Sequence, residues 1–131
     1  MGRVSVTIGT RYLVDTHVLL WDLKEDPRLS ARHAEIMSSD AEKFVSIATV
    51  WEIAIKAASG KLTVPAHLLN VIVSSDAELL PIKALHAMEA AALPPHHTDP
   101  FDRMLIAQAR HEGLTILTSD RQFAAYDIAL G

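Results

Sequence analysis

Short, largely apolar segments alternate with helix-forming segments along most of this 131-residue chain. The predicted strands are residues 12–15, 43–47, 78–82 and 114–118, with a last strand at 127–130. Their residues are mostly apolar, so the pattern favours strands whose two faces are both covered. The sequence therefore predicts an α/β fold with a mainly parallel sheet between helices.

Helix start and stop signals divide the rest of the chain. Ser30 and Thr49 are predicted N-caps, Pro65 is predicted to open a helix, and Gly113 to end one. For Asp99, before Pro100, capping is the preferred interpretation over a role in chemistry. The predicted helices cover residues 17–23, 30–39, 49–59, 65–74, 84–92 and 100–112, with a helical turn at 121–125.

Length and composition indicate one domain spanning residues 1–131, in which half of the residues are hydrophobic and 21% are charged. Residues 1–10 are interpreted as a short strand or as an N-terminal extension. The chain has no cysteine, which excludes disulfides and thiolate zinc sites. It has neither a membrane-spanning apolar run nor a signal-peptide pattern, so a cytoplasmic location is expected.

The formal net charge of −4 argues against a protein that binds nucleic acid through a broad basic surface. It does not exclude a nuclease whose carboxylates hold metal ions, because the ions then present positive charge to the phosphates.

Four acids lie where an α/β fold could bring them together. Asp15 ends the first predicted strand and Asp120 follows the fourth, so both are expected at the carboxyl edge of the sheet, where sites form. Glu52 lies on the helix after the second strand, among apolar neighbours. Asp102 opens the helix that leads to the fourth strand. It lies on the side of that helix that is predicted to face the core.

Each acid also has a purely structural interpretation. Asp15 could simply end a strand, Glu52 could pair with Lys56 four positions on, Asp120 could cap a short helix, and Asp102 could be a first-turn acid. Their expected convergence favours the functional interpretation. Clustered carboxylates repel one another unless a cation neutralises them, and oxygen ligands without cysteine suit Mg²⁺ or Mn²⁺.

Other polar residues give weaker signals. Ser46 could hold a metal-bound water, whereas His96 and His97 are predicted to be solvated loop residues, and adjacent histidines are poor ligands for one zinc ion. His17 could line the site, although a surface role is preferred. The sequence contains no phosphate-binding glycine motif and no support for a Ser–His–Asp triad.

Four segments together resemble the PIN domain, and more closely the VapC-type toxin ribonucleases of toxin–antitoxin pairs. They are YLVDTHVLLW, VSIATVWEIAIKAASGKL, HHTDPFDRMLIAQA and LTILTSDRQF, in that order. The resemblance extends from about Tyr12 to the C-terminus. It implies a three-layer α/β/α fold and Mg²⁺- or Mn²⁺-dependent endoribonuclease activity.

The resemblance assigns the metal-binding, catalytic quartet to Asp15, Glu52, Asp102 and Asp120. Asp15 and Asp102 are expected to bind metal directly, and Glu52 and Asp120 directly or through water. Supporting residues would be Thr16, Ser46, Asp99 and Thr118. A metal-activated water would attack the RNA phosphodiester, so no side-chain nucleophile is required.

The resemblance also implies a homodimer and a cognate VapB-type antitoxin. The surface expected to bind the antitoxin lies between residues 17–39 and the helix opened by Pro65, whose sequence PAHLLNVIVSS is apolar around most of its circumference. The alternative is a non-catalytic PIN-like module that binds a basic protein partner. A phosphotransfer receiver is disfavoured, since no lysine follows the late strand LTILT.

Overall fold

The computed structural model describes residues 9–131, in which four parallel strands form one sheet. The strands are β1 (Arg11–Val14), β2 (Glu42–Ser46), β3 (Glu78–Leu80) and β4 (Thr115–Leu117). Their order across the sheet is β3-β2-β1-β4. In the centre of the sheet, Leu13 of β1 lies opposite Phe44 of β2 on one side and Ile116 of β4 on the other.

Six α-helices and one short 3-10 helix connect the strands. They are α1 (Thr16–Leu23), α2 (Ala31–Ser38), α3 (Ile47–Ala58), α4 (Leu68–Ser74), α5 (Ala84–Ala92), α6 (Pro100–Glu112) and the 3-10 helix Arg121–Ala125. Ser30 caps α2 by accepting from the His33 amide, as predicted, and α6 ends at Gly113, whose φ of 68° suits glycine.

Successive β1 side chains enter two separate hydrophobic cores, one on each face of the sheet. Tyr12 and Val14 pack in a core with residues of the first four helices. Leu13 packs in the other core, with Leu105 and Ile106 of α6. Because side chains alternate along a strand, one apolar strand can fill both cores. The predicted three-layer α/β/α fold is therefore confirmed.

Two predicted helix starts are wrong. Helix α3 begins at Ile47 with Ser46 as its cap, two residues before the predicted start, so Thr49 lies inside the helix. Helix α4 begins at Leu68, not at Pro65. A helix opened by Pro65 would take Val64 as its N-cap, and valine has no side-chain oxygen to accept an amide hydrogen bond.

The predicted last strand does not form beyond a single bridge between Ile116 and Leu130. The chain before it is held in a turn, where the Ile128 amide donates to the Tyr126 carbonyl, so it meets β4 only at its end. Strand β3 is also shorter than predicted, since Pro81 has no amide to donate.

The prediction for residues 1–10 falls mainly on residues 1–8, which lie outside the described part of the chain. Within residues 9–131, no helix combines the length and the apolar character that crossing a membrane requires.

Candidate metal site at the carboxyl edge of the sheet

Asp15 follows β1 directly and is held at the edge of the sheet by β4. Its amide donates to the Leu117 carbonyl at 3.0 Å, and the Thr118 hydroxyl donates to its Oδ2 at 3.0 Å. The residue is only 2% exposed. Burial is the main cause that raises the pKa of Asp15; the Thr118 hydrogen bond opposes it, while Glu52 and Asp120 add to it.

Glu52 reaches the same edge from α3, with both carboxylate oxygens occupied. The Thr16 hydroxyl donates to Oε1 at 2.7 Å, and the Lys56 ammonium donates to Oε2 at 2.8 Å. The predicted pair with Lys56 thus exists. The Glu52 carboxylate in this pair is not at the surface, because Glu52 is buried. It lies close enough to Asp15 to raise the pKa of Asp15. Thr16 also lies 3.3 Å from the Thr49 hydroxyl.

Asp102, in the first turn of α6, experiences the field of the whole cluster. Its pKa is raised to about 8, first by burial and then by the charges of Asp15, Asp99, Glu52 and Asp120. Such repulsion falls off with distance, so these carboxylates lie near one another. The structure therefore brings all four acids of the expected quartet to one edge of the sheet.

Asp120 combines helix capping with a place in the cluster. Its Oδ1 accepts from the Gln122 amide at 2.9 Å, so it is the N-cap of the 3-10 helix. Its amide donates to the Thr118 hydroxyl oxygen, which is the same hydroxyl that donates to Asp15. Thr118 therefore links the first and last acids of the cluster.

His97 belongs to the site, and its prediction as a solvated loop residue is wrong. The side chain is buried, with Nε2 at 2.9 Å from Asp102 Oδ2 and 3.3 Å from Asp120 Oδ2. Its ring packs edge-on against Phe123, and its amide donates to the Tyr126 hydroxyl. The neighbouring His96 is exposed, as predicted.

The loop that carries His97 is fixed by one arginine of α6. The Arg103 guanidinium donates to four carbonyls, those of Ala90, Leu93, Pro94 and His97, at 2.8–3.0 Å. No sequence pattern predicts these bonds, because they form only when the loop closes onto α6. The prolines on both sides of the histidines were the available signal of a restricted loop.

Hydrogen bonding defines which ring nitrogen of His97 carries the proton. The Asp99 amide donates to Nδ1 at 3.2 Å, so Nδ1 is an acceptor and Nε2 carries the hydrogen. Nε2–H then donates to Asp120 Oδ2 at 3.3 Å, while Asp102 Oδ2 lies 2.9 Å from Nε2 as a close charged contact. His97 is therefore a donor to Asp120 that packs against Asp102, rather than a ready metal ligand.

Two carboxylate oxygens face the cluster without a donor. Within residues 9–131, Asp15 Oδ1 and Asp102 Oδ1 accept no hydrogen bond, whereas both oxygens of Glu52 and of Asp120 do. Buried acids that repel one another and retain free oxygens fit a hard divalent cation, which prefers oxygen ligands. The donor set thus suits Mg²⁺ or Mn²⁺.

The remaining expected supporting residues have structural contacts. Ser46 is fully buried, and its hydroxyl accepts from the Ala48 amide. Asp99 accepts from the amides of Phe101 and Asp102, as the capping interpretation predicted. Its charge still contributes to the raised pKa of Asp102. These contacts define the backbone around the cluster.

A second group of potential ligands, His86, His111 and Glu112, lies between α5 and α6. The Lys83 amide donates to His86 Nδ1, so Nε2 carries the hydrogen and donates to Glu112 at 2.9 Å. The Lys83 ammonium contacts the same carboxylate at 3.1 Å. A metal ion would have to break these bonds, so the group is better described as an ion-pair network.

Comparisons with known proteins place this geometry in a family. No curated protein matches the sequence. VapBC2 from Rickettsia felis bound to a promoter DNA fragment is similar, with 14% identity and a TM-score of 0.69 over 93% of this chain and 98% of that chain. FitAcB from Neisseria gonorrhoeae has 23% identity and a TM-score of 0.66 over 91% of this chain and 95% of that chain. DNA-bound VapBC from Salmonella typhimurium has 19% identity and a TM-score of 0.67 over 92% of this chain and 96% of that chain. At these identities the likeness shows the fold.

The PIN domain model matches residues 12–129, nearly the whole chain, and the chain therefore belongs to the PIN domain family.

Proposed function

We propose that this protein is a Mg²⁺- or Mn²⁺-dependent endoribonuclease, the toxin of a toxin–antitoxin pair. The observation that carries the proposal is the cluster of four carboxylates, in which Asp15 Oδ1 and Asp102 Oδ1 lack a hydrogen-bond donor among the described residues. Family membership supports it, because the match covers the segments that supply all four acids.

Each residue of the cluster has a distinct part in the proposal. Asp15 and Asp102 would hold the metal directly, and Glu52 and Asp120 would hold it directly or through water. When bound, the metal would neutralise the phosphodiester charge and make water a stronger nucleophile at neutral pH. Thr118 orients Asp15, and Thr16 orients Glu52.

A protein partner is supported by one of the similar structures, a toxin–antitoxin complex from Klebsiella pneumoniae. We therefore include a cognate VapB-type antitoxin in the proposal. Leu69 and Val73 of α4 are more than half exposed and lie four positions apart, which gives an amphipathic antitoxin segment an apolar surface. An RNA substrate implies that the protein acts in the cytoplasm.

Replacing Asp15 with asparagine should abolish cleavage and preserve the fold. The amide keeps an oxygen for the Thr118 hydroxyl but removes the charge that attracts the metal. Cleavage of total RNA is measured with Mg²⁺, Mn²⁺ and EDTA, and the new ends are sequenced. Asp127→Asn, which changes an exposed acid, is the control. Cleavage by Asp15→Asn at the control's rate contradicts the assignment; a wild-type protein that never cleaves supports the non-catalytic alternative.

Asp102→Asn should stabilise the metal-free protein at alkaline pH. The folded-state pKa of Asp102 is about 8, far above the 3.8 that is usual for this side chain, so its ionisation destabilises the fold increasingly from about pH 4 and fully above about pH 8. In EDTA, urea unfolding should show the variant more stable by about 1 kcal/mol or more near pH 8, with the difference vanishing near pH 4. Added Mg²⁺ should stabilise the wild type more than the variant. If the wild type and the variant have equal unfolding free energies at both pH values, the prediction is refuted.

Substitutions of His97 should separate its hydrogen bond from its bulk. His97→Gln places an amide N–H near the position of Nε2, whereas His97→Ala removes the donor to Asp120 and the contact with Asp102. Mn²⁺ affinity, measured by titration calorimetry, and RNA cleavage should fall by about 10- to 100-fold in His97→Ala and recover in part in His97→Gln. His96→Ala is the matched control. Equal losses of Mn²⁺ affinity and RNA cleavage in both His97 variants would mean that His97 acts only through its packing.

Self-association is the remaining part of the proposal. Helix α3 exposes Ile47, Trp51 and Ile55 at four-residue spacing, with Trp51 60% exposed against the edge of Phe101. This stripe is a suitable surface for a homodimer with twofold symmetry.

Light scattering at roughly tens of micromolar should give a dimer for the wild type and a monomer for Trp51→Glu. Leu69→Glu, a change of an exposed apolar residue on α4, should leave the dimer intact. A monomeric wild type, or a dimeric Trp51→Glu, contradicts this surface.

A further inference from the structure

A cleft adjoins the acidic site between α1 and the segment that follows α3. Its volume is about 310 Å³. Thr16 and Lys56 form part of its wall, and these two residues donate the hydrogen bonds to Glu52. The cleft therefore begins where the carboxylate cluster ends. A molecule that reaches the acidic site along α1 would also contact this cleft.

Basic side chains line this cleft, and no carboxylate does. Lys24, Arg28, Lys56 and Lys61 are the four cations. Arg28 is paired with Asp26, and Lys56 with Glu52. Lys24 and Lys61 form no ion pair with any residue from 9 to 131. This cationic cleft thus concentrates positive charge on a chain whose net charge is −4, and it suits an anion.

An aromatic surface adjoins these charges. The Trp21 indole lies with its ring 5.9 Å from the His17 ring and 5.2 Å from the Arg28 guanidinium, measured to the ring centroid. All three side chains line the cleft. Proteins that bind single-stranded nucleic acid combine such aromatic surfaces, on which bases stack, with cations that contact the backbone.

The size of the cleft favours a small planar group over a protein helix. A volume of about 310 Å³ is at the low end of small-molecule sites. An amphipathic helix needs an elongated apolar groove, whereas the wall of this cleft combines four cations and two aromatic rings with only two leucines, Leu20 and Leu62. Charge and shape therefore both favour a nucleotide.

We propose that the cationic cleft binds a nucleotide of single-stranded RNA adjacent to the scissile phosphate. The base packs against Trp21, and the flanking phosphates contact Lys24 and Lys61. This inference rests on the proposed ribonuclease function. It adds a substrate subsite to it and explains how an acidic protein retains a polyanion near its carboxylates.

Binding is measured in the cleavage-deficient Asp15→Asn background with Mg²⁺, using a fluorescein-labelled single-stranded RNA of mixed sequence. Replacing both Lys24 and Lys61 with serine should weaken binding on the order of tenfold. It should also make the slope of log affinity against log salt shallower by about 1.4, since each single-strand phosphate contact contributes about 0.7.

Trp21→Leu should weaken binding by about 5- to 150-fold without changing the salt slope, because stacking carries no charge. Trp21→Phe should retain part of the RNA affinity, and it replaces Trp21→Leu as the test of stacking if the leucine variant does not fold. The control for charge is Lys83→Ser with Arg110→Ser, which removes two cations from α5 and α6 on the opposite face of the sheet. Its affinity and slope should match those of the background.

The same substitutions are also made in the chain that keeps Asp15. Cleavage of total RNA by these variants separates the two proposals. If RNA binds through the cleft but the wild type cleaves nothing, the function fails and the subsite stands. If the wild type cleaves and the cleft variants bind and cleave equally well, the subsite is overturned. It is also overturned if the Asp15→Asn background itself binds no RNA, or if the lysine variant loses only an acidic protein partner.

Discussion

Repulsion among four carboxylates at one edge of the sheet is the constraint on which the rest of the site depends. Nothing in an apolar core would favour Asp15 at 2% exposure beside other acids. The surrounding structure offsets this cost with donors: Thr118 for Asp15, Thr16 and Lys56 for Glu52, and His97 for Asp120. The compensation is incomplete, since the pKa of Asp102 is still raised to about 8. A divalent cation would remove the residual repulsion, so the same charges that destabilise the metal-free fold favour metal binding.

Parallel pairing of β1 with β4 is what makes this arrangement possible. Leu117 of β4 lies beside Val14 and accepts the Asp15 amide, so the residue after each strand reaches the same edge. Thr118 then has one hydroxyl that serves both Asp15 and Asp120. A one-residue slip of the register would move Leu13 and Val14 into the wrong cores and separate this threonine from Asp15. The two hydrophobic cores and the acidic site therefore depend on the same register.

The sequence predicted the parts of this structure that depend on local pattern. Apolar strands, the Ser30 and Asp99 caps and the Gly113 terminus are visible from neighbouring residues, and α6 begins and ends as predicted. The topological rule for parallel sheets predicted that Asp15 and Asp120 share one edge, whereas the full quartet with Glu52 and Asp102 came from the family resemblance. The role of His97 was not visible, because burial of that histidine depends on Arg103 closing the loop onto carbonyls of α5 and on packing against Phe123. Long-range closure of this kind leaves no periodic signal in the sequence.

The structural contacts of the acids do not exclude the proposed function. Asp120 caps the 3-10 helix through Oδ1 while Oδ2 contacts His97, and Glu52 pairs with Lys56 while its other oxygen accepts from Thr16. Each of these bonds fixes a rotamer, and a fixed carboxylate loses less entropy when it binds a ligand. Capping and pairing thus preorganise the cluster, whereas the free oxygens remain on Asp15 and Asp102. The acids whose two oxygens both accept hydrogen bonds and the acids that keep a free oxygen are different members of one site, and for that reason a test of function begins with Asp15 or Asp102.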